Sequence, residues 1–523
     1  MLEIAIVGGG LCGLALAQSL EARRCDFVLF EARGRLGGRI LSVHSEKAGM
    51  ALDLGPTWFW PEIQPRMFKL VNDLGLRSFP QHDTGEVLYL TDHDKAPDTL
   101  SRPGLHDGAH RVEGGMASLV EALIQRLPPE ALRLGHELTA VTDRGDHVEL
   151  CFVHGGETIV VAARRTVLAM PPRLVEERIR FEPALDGKVL EALHDTYSWM
   201  ADQAKALVAY DKPFWRTAGQ SGNAFVRHEH VVLGEIFDAC DATAERAALG
   251  GFLALPPAAR VALLPGMPML VSSQMVQVFG SAAEHGELHF QDWAAEPYTC
   301  SRRDHVPPDN QPEYGHPLLR RPQWGGRLYF GGSETASYGG GYLEGALEAG
   351  ARLQRALIVE RTSLAPSGGR NEQAVAGFGE WVAAQRGVVL ERYKRLLHQN
   401  LASQRTEQLT QRAVLGVMEQ VYSEALARLG ELSFEPPAGS IETGLATLAQ
   451  DLLAPFVGFN KVLLDEAIAF NGSSCALSNF PSEHRPSSDY LETTARDLAA
   501  AWREFAYDVN TLLAGRFVVR TAA

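Results

Sequence analysis

The first forty residues constrain this chain most. An apolar strand, Leu2–Val7, runs into Gly8-Gly9-Gly10-Leu11-Cys12-Gly13, then a helical pattern extends to about Arg23, and a second apolar strand, Phe27–Phe30, ends in Glu31. This is the spacing of a dinucleotide-binding βαβ unit, and it predicts an α/β fold with a Rossmann-like domain. Gly8 makes the tight turn, Gly10 lets backbone approach a pyrophosphate, and Gly13 lets the helix pack close to the strand. The helix N-terminus then faces phosphate charge, and Glu31 is placed to accept hydrogen bonds from an adenosine ribose.

The sequence beyond Glu31 narrows the cofactor. Glu31-Ala32-Arg33-Gly34-Arg35-Leu36-Gly37-Gly38-Arg39 adds arginines and a glycine pair that nicotinamide enzymes do not need. It resembles the signature of FAD-dependent oxidases and desaturases, in which glycines and an arginine fold over the pyrophosphate.

Composition sets outer bounds. A chain of 523 residues predicts two to four domains, and 46% hydrophobic residues suffice for sizeable cores. A net charge of −15 argues against nucleic acid as a partner. The six cysteines (Cys12, Cys25, Cys151, Cys240, Cys300, Cys475) show no CxxC and no regular spacing, which suits a reduced, cytoplasmic protein. The dinucleotide strand starts at residue 2, so no signal peptide is expected, and no run of eighteen apolar residues predicts a membrane span.

Further along, Asp53-Leu54-Gly55-Pro56-Thr57-Trp58-Phe59-Trp60 reads as an aromatic turn, and Arg111–Met116 leads into a helix through Leu127. Leu132–Leu134, Val148–Phe152, Thr158–Ala162 and Thr166–Met170 read as strands, the last stopped by Pro171-Pro172. A strand at Arg327–Phe330, a Gly-rich turn and a helix from Tyr342 to Val359 restore the opening pattern. We therefore expect an FAD-binding domain from residues 1–56, 108–175 and 322–360, with an inserted α+β substrate domain from 57–107 and 176–321.

Tyr329-Phe330-Gly331-Gly332-Ser333-Glu334-Thr335-Ala336 and Gly341-Tyr342-Leu343-Glu344-Gly345-Ala346 are the strongest later signals. With the opening motif, they make residues 1–360 resemble the flavin-containing amine oxidase (monoamine oxidase-like) family. That resemblance implies FAD, read as non-covalent because Arg302 stands at the family's attachment position, and a small-molecule amine substrate with O2 as acceptor. It assigns cofactor contact to Gly8, Gly10, Gly13, Glu31, Arg33, Gly38, Arg39, Pro56, Thr57, Trp58, Leu138, Trp293, Tyr298, Gly332, Ser333, Glu334, Leu343 and Ala346.

Catalytic roles fall by resemblance to Lys205 and Tyr342. Lys205 lies in Gln203-Ala204-Lys205-Ala206-Leu207-Val208, ahead of Pro213-Phe214-Trp215. A lysine in an apolar strand is costly unless it has a partner or reaches solvent at a sheet edge. The family's matching lysine holds a water against flavin N5. Tyr342 matches one of two facing tyrosines that line the family's amine path. The other is replaced by Arg303, and the cysteine that carries covalent flavin in mammalian members is replaced by Arg302. Cys300 lies two residues earlier and would need a shifted loop to reach the flavin. Arg303 suits either a substrate carboxylate or a surface ion pair, and Trp58 or Trp60 could supply an aromatic wall for substrate.

Other motifs carry less. His228-Glu229-His230 places two imidazoles on one face of an expected strand but shows no third ligand, so no metal is expected. Cys12 reads as a small packing residue. Ser363–Asn371 reads as a linker, and Pro436–Gly439 and Asn471–Ser488 as breaks between long helical patterns at about 374–402, 405–430, 440–470 and 488–514. Residues 372–523 are thus expected to form an all-helical bundle that packs on the catalytic part, a second subunit or another protein. Truncation after about Leu357 would then give an insoluble oxidase or one of altered association.

The reading that unites these features is an FAD-dependent amine oxidase producing an imine, then aldehyde or keto acid plus amine or ammonia, and H2O2. Two alternatives remain open at this stage. One is a flavin desaturase or oxidase of the phytoene desaturase or protoporphyrinogen oxidase type. The other is a flavoprotein scaffold acting through its helical C-terminus.

Overall fold

Ile4, Ala5, Ile6 and Val7 are all buried, as a strand covered on both faces requires. Leu2–Val7 lies between Phe27–Phe30 and the end of the long strand Glu157–Leu168, parallel to both. Leu328–Phe330 pairs in parallel with the far side of Thr166–Leu168. Distant parts of the chain therefore meet in one parallel core. Leu132–Arg133 extends it beside Phe27–Phe30, while antiparallel Val148–His154 and Glu137–Asp143, with Arg180–Glu182 at the edge, complete the sheet. The separate strands expected at 158–162 and 166–170 are one. Its first half pairs with Val148–His154 and is partly exposed, whereas its second half is buried between parallel neighbours, so the sequence pattern changes midway.

A second sheet runs in the order Glu287–Asp292, Ala204–Tyr210, Ala247–Leu253, Leu233–Asp238, Gln220–Val226, Glu86–Leu90 and Asp98–Leu100. Ala204–Tyr210 is an interior strand, buried at every position. Lys205 is thus not an edge lysine. The His228-Glu229-His230 stretch lies in a turn rather than a strand, because the chain leaves the sheet after Val226 to reach Leu233.

This computed structural model describes residues 1–100, 104–308, 312–362, 371–402, 408–432, 434, 448–473, 477 and 480–517. Cys475, the Pro436–Gly439 break and most of the Ser363–Asn371 linker lie outside the described residues. Two compact units result, Met1–Gln354 and Arg355–Ala523. By length and composition alone, the stretch Pro257–Phe279 could cross a bilayer. Its residues Met267, Val271, Met275, Val278 and Phe279 are packed in the core of the second sheet.

The second unit is helical: Asn371–Arg386, Val389–Ala402, Leu409–Glu431, Phe459–Ser473 and Ser488–Phe517 are its longer helices. Gly387 breaks the pattern expected at 374–402, and Pro455 with Gly458 (φ +75°) breaks the one at 440–470. The apolar stripes close on one another around Phe378, Tyr393, Val417, Val421, Phe456, Leu463 and Phe505. Their polar centre is satisfied within the unit: Tyr393 donates to Asn471 Oδ1 (2.7 Å), and Glu483 accepts from the backbone N–H groups of Leu409 (2.8 Å) and Thr410 (2.9 Å). A unit that buries its own stripes does not need the rest of the chain to cover them. Residues 1–362 alone are accordingly expected to remain soluble and to retain FAD, checked by chromatography and flavin absorbance. An insoluble product would show that the helical unit covers apolar surface elsewhere.

Candidate active site

A cavity of about 410 Å³ opens in the first unit where the parallel strands end, lined by Gly8, Gly10, Glu31, Ala169 and Gly332. This is the position in which open α/β sheets bind nucleotides. A side chain at Gly8 (φ +111°) would bring its Cβ within 2.3 Å of the Ala169 carbonyl oxygen, and one at Gly13 within 2.0 Å of the Gly8 carbonyl. Gly13 therefore packs helix on strand and does not itself line the cavity. No atom lies within 4 Å of a Cβ built on Gly10, which faces open space at the N-terminus of the Leu11–Glu21 helix. That terminus has no side-chain cap, so its backbone donors are left for an anion.

Around this turn the charges are fixed. Glu31 accepts from the N–H groups of Gly9 (2.7 Å) and Arg33 (2.9 Å), and its remaining acceptor capacity borders the cavity. Arg33 donates to Glu296 Oε2 (3.0 and 3.1 Å) and Thr299 Oγ1 (2.8 Å), and its guanidinium stands 5.5 Å from the Tyr298 ring. Tyr298 donates to Glu137 Oε2 (3.1 Å). Arg39 pairs with Glu334 Oε1 (2.7 Å) and donates to Ser333 Oγ (2.9 Å) and the Trp199 carbonyl (2.9 Å). Gly38, Leu138, Gly332, Leu343 and Ala346 also line the cavity. An open Gly10, an uncapped helix start, an acid for the ribose and an arginine beside the Ser-Glu turn together fit FAD.

Lys205 projects into the same cavity from its interior strand. Its ammonium donates to the Gly55 carbonyl (2.7 Å) and to Thr57 Oγ1, and lies 5.3 and 5.6 Å from the rings of Phe237 and Phe252. Two of its three donors are thus occupied within the protein, leaving one for the cavity. Burial pushes the Lys205 pKa down to about 7, with Asp53 opposing the shift and Arg111 adding to it. Burial also raises the carboxyl pKa of Asp53. The Asp53–Trp60 turn that holds Lys205 is anchored where Trp293 donates to the Leu54 carbonyl (3.0 Å).

Aromatic side chains line the cavity beside Lys205. Trp58 donates to Gln81 Oε1 (2.8 Å), and its ring lies 4.6 Å from those of His106 and Phe237. Trp60, Pro56, Thr57 and Tyr342 line the cavity too, and Tyr342 remains 46% exposed. Arg303 does not: it is exposed on a short turn of helix, Arg302–His305, outside the cavity lining. The reason lies next to it, where buried Asp304 turns inward and completes a capping box with Ser301, rolling both arginines toward solvent. A substrate-carboxylate role for Arg303 is therefore corrected.

The same turn bears on flavin attachment. Arg302 points out to Glu177, and Cys300 is buried, does not line the cavity, and has its thiol pushed up to about 12 by burial. Denaturation by acid or heat is expected to release the flavin into the supernatant. Flavin remaining with the precipitated chain would point to a covalent link through Cys300.

Several lining residues carry no sequence signal of their own: Gln64, Trp199, Met200, Gln203 and Phe252. Among the described residues no group of three His, Cys, Asp or Glu side chains is placed to hold a metal ion.

Comparison with known proteins agrees with this geometry. Residues 84–357 match the family model for flavin containing amine oxidoreductases, and residues 6–74 that for an NAD(P)-binding Rossmann-like domain. Flavin-containing amine oxidase B of Sus scrofa is 24% identical over 454 residues, spanning 68% of this chain and 86% of that protein. The Homo sapiens enzyme gives the same identity and coverage. A putrescine oxidase bound to putrescine superposes with a TM-score of 0.55 at 20% identity, over 68% of this chain and 99% of that one. Cyclohexylamine oxidase from Brevibacterium oxydans gives 0.58 at 19% identity, over 69% and 99%. The family match covers more than half of the chain, from the second sheet through the Ser-Glu turn and the helix after it. The chain belongs to the flavin-containing amine oxidoreductases, FAD-dependent enzymes acting on amines.

Proposed function

We propose that this protein oxidises a small amine at its α-carbon with O2 as electron acceptor. The observation that carries this reading is Lys205, buried in the wall of the dinucleotide cavity with two of its donors taken by Gly55 and Thr57 and one free. Bound FAD would supply the two-electron acceptor, so that the amine leaves as an imine, which water hydrolyses to aldehyde or keto acid plus ammonia or amine, and O2 becomes H2O2.

The chain's own residues bind, orient and exclude water. The carboxylates lining the cavity are Glu31, Glu137 and Glu334, each engaged in the cradle by Gly9 and Arg33, by Tyr298, or by Arg39. Trp58, Trp60, Gln64, Gln203 and Phe252 add uncharged lining, with the Phe252 ring 5.6 Å from the Lys205 ammonium. An ammonium entering the cavity finds no unengaged carboxylate in its lining, which favours the neutral amine that oxidation requires. With FAD bound, the third donor of Lys205 would hold a water and its positive charge would favour the passage of electrons to O2. With Arg303 outside, no arginine near Lys205 awaits a carboxylate, which supports amines over amino acids.

A peroxide-coupled assay against aromatic, alicyclic and linear amines, polyamines and amino acids tests the reading. One H2O2 per carbonyl product is expected. Retained FAD with no oxygen consumption on any amine would refute it.

A further inference from the structure

We propose that Asp53 and Arg111, two opposite charges buried behind the cavity wall, are positioning residues that act through Lys205 and set the pH range over which its ammonium serves O2. The proposal rests on the oxidase reading above and names what regulates that site. Neither residue lines the cavity, and both are buried. The groups that hold them are neutral. Asp53 Oδ1 accepts from Ser42 Oγ (2.5 Å) and the Met116 N–H (2.8 Å). Arg111 donates to the carbonyls of Cys240 (2.6 Å) and Ala239 (3.3 Å), stands 5.3 Å from the Phe79 ring, and has a buried Nε without a hydrogen-bond partner. A buried charge held by neutral dipoles keeps its field, which reaches several ångströms in a low-dielectric interior.

Both charges are tied to the elements that hold Lys205. Asp53 ends the strand Met50–Asp53 and opens the turn whose Gly55 carbonyl and Thr57 Oγ1 accept from the ammonium. Arg111 is bonded just beyond the strand Leu233–Asp238, whose Phe237 ring lies 5.3 Å from Lys205 Nζ. One segment, Arg111–Met116, supplies both the guanidinium and the N–H that Asp53 accepts. A Cβ on Gly115 (φ +88°) would come within 3.0 Å of Asp53 Oδ1, so glycine there lets this segment close on the carboxylate. Other charged groups on the elements around Lys205 are engaged in pairs. Asp292 is bonded to Arg260 (2.8 Å), Asp238 to Arg216 (2.7 Å), His289 lies beside Glu287 (3.2 Å), and His106, behind Trp58, is bonded to Asp83 (2.8 Å). Burial presses Asp53 toward its neutral form, while the Ser42 hydrogen bond, Arg111 and Lys205 favour the anion. Burial likewise lowers Lys205, Asp53 opposes that, and Arg111 reinforces it. The two hidden charges thus pull the ammonium in opposite directions.

The test uses the holoenzyme of Asp53→Asn, of Arg111→Gln and of the two combined. Stopped-flow reoxidation by O2 is followed across pH in each. The absorbance of the resting, oxidised flavin is titrated alongside, because it senses charge in the cavity wall without turnover. Losing the carboxylate makes the ammonium costlier, so Asp53→Asn should move the midpoint of both curves down by about one pH unit. Arg111→Gln removes a repelling charge and should move it up by about as much. The combined variant should return close to the wild-type midpoint, since opposite charge effects offset whereas structural damage accumulates. FAD content is measured on every sample; if one variant does not hold FAD, the direction of shift in the other decides. Lys205→Met is the reference, and its curves should be flat. A midpoint that survives in Lys205→Met would overturn the reading of Lys205 and the proposal with it. With that reading intact, an unmoved midpoint in an FAD-loaded single variant, or shifts of both in one direction, would overturn the proposal alone.

Discussion

Lys205→Met is expected to leave FAD bound and to slow reoxidation of the reduced enzyme by O2 about a hundred- to thousandfold. The estimate follows from the loss of one preorganised charge, about 2.7–4 kcal/mol, at a site that excludes water. Methionine is close in volume and apolar, and the strand around position 205 is buried throughout, so the fold should accept it. Removing the ammonium also frees the Gly55 carbonyl and Thr57 hydroxyl that it bonds. The cradle residues Gly10, Glu31 and Arg39 do not contact it. The wild-type rate should depend on pH in a defined sense. With the Lys205 pKa pushed down to about 7, the ammonium is charged below that value and neutral above it. Its help in passing electrons to O2 is therefore present at low pH and lost as pH rises through about 7. Stopped-flow reoxidation across this range should fall with pH in the wild type and stay flat in the variant. Wild-type rates in Lys205→Met, or an identical pH profile, would remove Lys205 from the chemistry.

The cradle was legible because its constraints are local. Gly8, Gly10 and Gly13 are each dictated by backbone a few residues away or by the space a phosphate needs, and Glu31 closes the second strand. Lys205 was half legible: a lysine amid Ala204, Ala206, Leu207 and Val208 demands a partner or a sheet edge, the resemblance chose the flavin side, and only the pairing on both sides of its strand excludes the edge. Trp199 was not legible. Its place depends on Gly341, Arg39, Glu334 and Asp304, all far away in sequence, and nothing in Tyr197-Ser198-Trp199-Met200 announces them. Arg303 misled because residue counting fixes position along a chain but not direction. The capping box of Ser301 and Asp304 sets the direction. In the helical unit, 3.6-residue periodicity located the helices, while Gly387 and Gly458, which add nothing to an apolar pattern, set the breaks.

Arg39→Ala is expected to cost about 3–5 kcal/mol of stability and to release FAD, because it strands a buried carboxylate. Glu334 has a side-chain exposure of 0%, while Arg39 keeps 26%. Without the guanidinium, Glu334 retains hydrogen bonds only from Ser333 Oγ (2.8 Å) and the Trp199 N–H (3.3 Å), both neutral donors. The pair is therefore asymmetric. Glu334→Gln should be milder, since it removes the buried charge and leaves an arginine that can turn to water. The double variant Arg39→Met with Glu334→Gln should recover most of the stability lost in Arg39→Ala, yet not the FAD, because the Arg39 guanidinium would no longer face the pyrophosphate beside the Leu11 helix start. Denaturant unfolding followed by flavin fluorescence separates the two effects, the midpoint reporting stability and the free-flavin baseline reporting occupancy. Arg39→Ala within about 1 kcal/mol of wild type would mean that Glu334 is not held as an anion by this pair. FAD retained by the double variant would mean that the glycine turn and helix terminus suffice for the pyrophosphate, with Arg39 there to hold Glu334 and Trp199 in place.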